Sequence, residues 1–128
     1  MFPWGPDFES AVRLALRDYH RPSLATNPLL RSRLVIGRAD GSAGASRLRA
    51  LIVEAANELH ATPKSEKLYR AFAATYLEPA RTGELAAELL GLPFNTYRYQ
   101  LAAAIKHVTE TLWQRELQMD SGRKPADS

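Results

Sequence analysis

Three glycines in the segment GRADGSAGAS, residues 37–46, are the first candidates for a functional site. A phosphate-binding loop requires a preceding strand and either the dinucleotide spacing of glycines or a Gly-Lys-Ser/Thr ending. Gly37, Gly41 and Gly44 have neither the spacing nor the ending, and no strand is predicted before them. The segment is therefore predicted to be a loop that connects two helices.

Histidines, serines and carboxylates are scattered along the chain. His20, His60 and His107 have no histidine or carboxylate partner at the i,i+4 spacing of a helical metal site. No serine lies in a nucleophile elbow. Glu84 and Glu88 are one turn apart, as expected for a solvated helix face. No catalytic residue, metal site or cofactor is predicted, and an enzyme built from distant residues is the weakest alternative.

The composition favours one helical domain. The 128 residues are 45% hydrophobic, carry a net charge of +3 and include no cysteine, which excludes disulfides and thiolate metal sites. No apolar run approaches the roughly 20 residues of a membrane helix. The N-terminal residues MFPWGPDFES lack the features of a signal peptide. A cytoplasmic protein that does not contact a membrane is expected.

Helical periodicity predicts an all-α bundle of five or six helices, and no segment alternates as a strand does. The start signals are Asp7, Asn27-Pro28, Pro63 and Thr82. The predicted helices cover residues 8–20, 28–36, 46–60, a stripe around Leu68, Phe72 and Tyr76, then 83–90 and 96–118. Residues 1–118 are predicted to form a single domain, with an N-terminal part over 1–61, a second part over 63–118 and a flexible tail over 119–128.

The most informative stretch is residues 82–101, TGELAAELLGLPFNTYRYQL. Thr82 is predicted to cap a short helix, and Gly91 to end it in the left-handed conformation. Small side chains at Ala86 and Ala87 allow a second helix to cross closely. Either Asn95 or Thr96 is predicted to cap that second helix.

This stretch resembles the helix-turn-helix of bacterial sigma-factor region four and of response-regulator output domains. The matching run is Leu90-Gly91, Leu92, Pro93, Phe94, Asn95, Thr96, Tyr97, Arg98 and Leu101, within a similarity of about 40 residues from Tyr69 to Val108. The resemblance implies an all-α fold with a helix-turn-helix and a role in bacterial transcription regulation.

Helical spacing divides the last helix into two faces. A buried stripe is predicted at Tyr97, Leu101, Ala104, Ile105, Val108 and Leu112. No acidic residue lies between Leu89 and Thr109. The predicted DNA-binding residues are Arg81, Thr82, Asn95, Thr96, Arg98, Tyr99, Ala102 and Lys106, with Arg81 and Thr82 on the phosphate backbone and the rest facing the major groove.

Trp113 and Leu117 lie off the buried stripe and form a predicted interface. They are expected to pack either against the aromatic N-terminal segment (Phe2, Trp4 and Phe8) or against a second copy of the chain in a homodimer.

The sequence thus predicts a DNA-binding transcription regulator domain. Double-stranded DNA is the expected partner, with RNA polymerase or another regulatory protein beside it. The alternative is a helical protein-interaction module of a larger regulatory protein. This alternative is favoured by the four basic and four acidic residues of segment 81–118, because phosphate binding normally uses an excess of Lys and Arg.

Overall fold

The computed structural model describes residues 6–31 and 44–120, and within these ranges every regular element is a helix, with no β-strand. The five α-helices are α1 (Pro6–Arg17), α2 (Gly44–Asn57), α3 (Pro63–Phe72), α4 (Gly83–Leu90) and α5 (Phe94–Asp120). Short 3-10 helices cover Pro22–Thr26, Pro28–Arg31 and Glu58–Ala61, and a π-helical turn covers Ala73–Leu77. The all-α prediction is confirmed for these ranges, and none of their helices is long and apolar enough to cross a membrane.

The chain forms two compact units. The first comprises Met1–Val53 and Thr109–Ser128, and the second comprises Glu54–Val108. The two boundaries fall inside α2 and α5, so each of these helices contributes to both units. The units are described one at a time, beginning with the first.

In the first unit, Asn27 connects α1 to the chain that follows it. Its side-chain amide nitrogen donates to the carbonyl of Ala11 at 3.0 Å, and its side-chain oxygen accepts from the backbone N–H of Leu29 at 2.8 Å. Asn27 is buried, and these two bonds satisfy its side-chain nitrogen and oxygen inside the unit. The predicted start signal at Asn27-Pro28 is confirmed, but the element that begins there is a 3-10 helix ending at Arg31; residues 32–36 lie outside the described ranges.

Trp113 packs within the same unit. Its ring lies 5.0 Å from that of Phe8, measured between centroids, with an interplanar angle of 68°. This edge-to-face arrangement is the favourable geometry for aromatic pairs. The contact matches the first of the two predicted environments for Trp113, whereas Leu117 remains 43% exposed. Phe2 and Trp4 lie outside the described ranges.

The start of α2 corrects a prediction from the sequence. The loop was expected to extend through Ser46, but α2 already begins at Gly44. The remainder of that loop, residues 37–43, lies outside the described ranges. The core positions predicted for the helix over residues 46–60 are confirmed: Leu48 and Ile52 are buried in the first unit, and Ala55 and Leu59 in the second. The α-helix ends at Asn57, and Leu59 belongs to the 3-10 helix that follows.

In the second unit, Thr62 caps the start of α3. The hydroxyl of Thr62 accepts a hydrogen bond from the backbone N–H of Ser65 at 3.1 Å, and Pro63 occupies the first helical position of α3. The predicted restart at Pro63 is thereby confirmed. After Phe72, which is fully buried, the chain widens into the π turn Ala73–Leu77 and leaves the helix at Glu78.

Candidate nucleic-acid interface

The helix α4 and the turn after it follow the signals in the sequence. The hydroxyl of Thr82 accepts from the backbone N–H of Leu85 at 3.0 Å, which caps α4. Gly91 adopts φ 71°, the left-handed conformation that glycine takes without strain. The N–H of Leu92 then donates to the carbonyl of Ala87 at 2.9 Å and closes the turn. The predicted cap at Thr82 and the predicted left-handed end of α4 at Gly91 are confirmed.

The predicted cap of α5 is wrong. The helix begins at Phe94, so Asn95 and Thr96 lie inside its first turn rather than before it. The first backbone bond runs from the N–H of Tyr97 to the carbonyl of Pro93 at 3.0 Å. Pro93 has no side-chain acceptor, and the first turn contains no acidic residue. Pro93, the residue before the helix, therefore cannot cap the first N–H groups of α5 with its side chain.

Small residues bring α4 close to α5. A Cβ atom added at Gly83 would lie 3.3 Å from Cε1 of Phe94 and 3.6 Å from Cε2 of Tyr97. Ala86 and Ala87 are buried in one cluster with Tyr97, and Leu92 packs against the same cluster. The small side chains on α4 thus allow the aromatic side chains of α5 to lie directly on its surface.

Tyr97 is also held by a hydrogen bond from its buried end. Its hydroxyl lies 2.6 Å from Oγ1 of Thr75, in the π turn, and that Oγ1 donates to the carbonyl of Ala71 at 2.7 Å. Because a threonine hydroxyl has a single hydrogen, Tyr97 is the donor to Thr75. This bond joins the buried side of α5 to the π turn.

The buried stripe of α5 is the predicted one. Ala104, Ile105, Val108, Leu112 and Tyr97 are each at most 5% exposed. Leu101 is half-buried and packs against the cluster around Tyr97. The opposite side of the helix is thereby left toward solvent.

All eight predicted DNA-binding residues are exposed. They are Arg81, Thr82, Asn95, Thr96, Arg98, Tyr99, Ala102 and Lys106. Asn95, Arg98, Tyr99, Ala102 and Lys106 share the side of α5 opposite its buried stripe, which we call the outer face. Tyr99 is 75% exposed, which is unusual for a large aromatic residue. The guanidinium of Arg98 lies 5.8 Å from the centre of the Phe94 ring. This distance is within cation–π range, so Arg98 lies at the edge of the outer face nearest to Phe94.

Thr96 lies apart from the outer face. It lines a groove of about 320 Å³ with Lys67, Arg70 and Gln100. A second groove, of about 540 Å³, is lined by Lys64, Lys67, Tyr99, Gln100 and His107, among others. The two grooves share Lys67 and Gln100 and together follow the seam between α3 and α5.

Lys64, Lys67 and Arg70 are the residues that the sequence analysis missed. Because they belong to α3, they fall outside the segment whose charge was counted. Their i, i+3, i+6 spacing would have placed them on one helix face. Nothing in the sequence indicates that this face lies beside α5.

The second unit carries equal numbers of basic and acidic residues, but they are unevenly distributed over its surface. Residues 54–108 contain six basic residues, Lys64, Lys67, Arg70, Arg81, Arg98 and Lys106, and six acidic residues, Glu54, Glu58, Glu66, Glu78, Glu84 and Glu88. No carboxylate belongs to the lining of either groove. Oε1 of Glu66 lies 2.7 Å from Nδ1 of His60. The seam between α3 and α5 therefore presents positive charge in a unit that is neutral as a whole.

Comparisons with known proteins give no match to a family model, to a curated protein or to a solved structure. Among the described parts of the chain, no group of three or more His, Cys, Asp and Glu side chains is placed to hold a metal ion.

Proposed function

We propose that this chain is a DNA-binding transcription regulator domain, in which α4, the Gly91 turn and α5 act as a helix-turn-helix. The observation that carries the proposal is the outer face of α5. It is exposed, it has no acidic residue, and it combines Asn95, Arg98 and Lys106 with the exposed ring of Tyr99. These are side chains that donate to base edges and phosphates.

The start of α4 supplies the contacts that position the duplex. Arg81 and Thr82 are exposed and directly precede Gly83, where an added Cβ atom would lie 3.3 Å from Cε1 of Phe94 in the first turn of α5. A phosphate group that meets Arg81 would therefore lie beside the first turn of α5. The side chains of Asn95 and Arg98 would then reach base edges, an adenine for the amide and a guanine for the guanidinium. The mechanism is non-covalent and uses no cofactor.

Selection from a random duplex pool is the experiment that tests this function. The full chain is mixed with the pool at about 50 mM salt, where phosphate contacts bind strongly, and bound duplexes are amplified and sequenced. The proposal predicts an enriched motif and an affinity that falls steeply as salt is raised to about 200 mM. A chain that binds no duplex at the lower salt is not a DNA-binding domain.

A second candidate function is protein binding, and exposed apolar side chains of the second unit favour it. Leu89 on α4 is 70% exposed, and Phe94 is 37% exposed. Apolar side chains of this size on a surface are typical of interaction sites when they lie together. A regulatory protein, including RNA polymerase, is the partner that this surface would serve.

Leu89→Gln is the variant that separates the two functions. It removes an exposed apolar side chain and leaves the cations unchanged. Duplex affinity should be unaffected if DNA is the partner. Trp113→Ala is less suitable because Trp113 packs against Phe8, so its loss changes the fold as well as any interface. Loss of partner binding or self-association by Leu89→Gln, in a chain with no affinity for duplex, would favour the second function.

A further inference from the structure

The groove of about 540 Å³ between α3 and α5 meets the predicted DNA contacts only at Tyr99. Its lining combines two lysines, His107 and the exposed ring of Tyr99, and includes no carboxylate. Neither Lys64 nor Lys67 forms a hydrogen bond or an ion pair with any residue in the described ranges. A surface with this composition is complementary to an anionic occupant.

The hydroxyl groups at the start of α3 do not compete for such an occupant. Ser65 donates to the carbonyl of Leu59 at 2.6 Å, and Thr62 caps the helix. These bonds hold the first turn of α3 in place, so Lys64 and Lys67 extend from a fixed backbone. Lysine at such a position acts as a flexible point charge, which suits a phosphate that needs no defined angle.

The position of this groove on α5 indicates which anion it meets. Gln100, Ala103 and His107 follow one another at helical spacing on the side of α5 that faces α3. Phe94 lies on the side that faces α4, and Arg98 is the member of the outer face nearest to it. The outer face of α5 lies between these two sides, with Lys64 and Lys67 beside the first and Arg81, at the start of α4, beside the second.

A helix with its side chains is about 10–12 Å across, close to the roughly 12 Å width of the DNA major groove. A helix that enters the groove is consequently bordered by a phosphate strand on each side. We propose that Lys64 and Lys67 contact the phosphates of one strand while Arg81 and Thr82 contact those of the other. This inference rests on the proposed function and adds a second row of phosphate contacts to it, formed by α3.

The test is the salt dependence of binding to a labelled duplex pool of random sequence, for which no target site is needed. Each phosphate contact contributes about 0.9 to the slope of log affinity against log salt. The Lys64→Gln/Lys67→Gln variant should therefore show a slope that is shallower than wild type by about 2. The Lys64→Arg/Lys67→Arg variant keeps both charges and should retain the wild-type slope.

The matched control is Arg13→Gln/Arg21→Gln, which removes the same charge from exposed positions of the first unit. Its slope should equal that of wild type. An equal change in both glutamine variants would mean that only net charge matters and would overturn the inference. A wild-type slope in Lys64→Gln/Lys67→Gln would overturn it too, while the proposed function would stand. Absence of any duplex binding by wild type would instead overturn the proposed function itself. Circular dichroism of each variant verifies that helicity is unchanged.

Discussion

The hydroxyl of Tyr97 on α5 donates a hydrogen bond to Oγ1 of Thr75 at 2.6 Å, and the hydroxyl of Thr75 donates one to the carbonyl of Ala71. Tyr97 is 3% exposed and Thr75 is half-buried, so these bonds are partly shielded from water. They join the helix that carries the outer face to the π turn Ala73–Leu77. The bond from Tyr97 to Thr75 is formed on the buried side of α5, away from the exposed ring of Tyr99.

Tyr97→Phe removes this bond and preserves the ring. The expected loss is about 1 kcal/mol in the free energy of unfolding, the usual value for a hydrogen bond between neutral side chains. In a double-mutant cycle with Thr75→Ala, measured by urea denaturation, the two losses should not be additive because both remove the same bond. Tyr99→Phe is the control and should leave stability unchanged, since Tyr99 is 75% exposed. Fully additive losses for Tyr97 and Thr75 would show that the bond contributes nothing.

Gly91→Ala should destabilise the second unit through the backbone alone. Gly91 has φ 71°, and a Cβ atom added there would meet no atom within 4 Å. The left-handed conformation costs an L-residue about 1–2 kcal/mol, so a loss of about 1 kcal/mol is expected by thermal denaturation. Gly91→Asn should lose less, because asparagine tolerates this conformation better than alanine. Equal stabilities of alanine and glycine at this position would contradict the account of the turn.

Arg98→Ala should weaken binding to the selected duplex. One bidentate contact of arginine with guanine is worth about 1–3 kcal/mol, which corresponds to a loss of about tenfold or more. Fluorescence anisotropy at fixed salt measures the change. Arg13→Ala on α1 is the control: Arg13 is exposed, pairs with Glu9 at 3.3 Å and belongs to the first unit. If Arg98→Ala and Arg13→Ala bind as wild type does, Arg98 is not part of the interface.

Stability in acid should depend on Asp18. Nε of Arg17 donates to the carboxylate at 3.1 Å, and this bond, which outweighs the opposing effect of burial, lowers the pKa of Asp18. Because the pKa is lower in the folded than in the unfolded chain, the carboxylate stabilises the fold above the unfolded value of about 3.9. That contribution is lost as the pH falls through the folded pKa.

Thermal denaturation of wild type and Asp18→Asn at a series of pH values tests this dependence. The melting temperature of wild type should exceed that of the variant near pH 6, and the difference should shrink as the pH falls below about 4. Two curves that remain parallel through this range would contradict the role of Asp18.

Local signals explain which elements could be predicted from the sequence. Thr82, Gly91 and Pro63 each act within a few residues of their own position, through a cap, a positive φ or a fixed φ. The start of α5 was placed wrongly because Asn95 and Thr96 are residue types that commonly cap helices. The first backbone bond instead uses the carbonyl of Pro93, a group that every residue type carries.

Features that join distant parts of the chain could not be predicted. Leu68, Phe72 and Tyr76 fit an ordinary α-helix, so the sequence gives no indication of the π turn or of the bond from Thr75 to Tyr97. Lys64 and His107 line the same groove although 43 positions separate their residue numbers. Only the packing of α3 beside α5 brings them together, and the charge of segment 81–118 therefore underestimated the positive charge near the outer face.

The most direct test of DNA binding by the outer face is the backbone amide NMR spectrum of the chain with and without a duplex carrying the selected motif. The account predicts that the largest chemical-shift changes occur at Arg81, Thr82 and residues 95–106, with smaller changes at the start of α3. Changes concentrated in α1 and α2, or no changes at low salt, would contradict it.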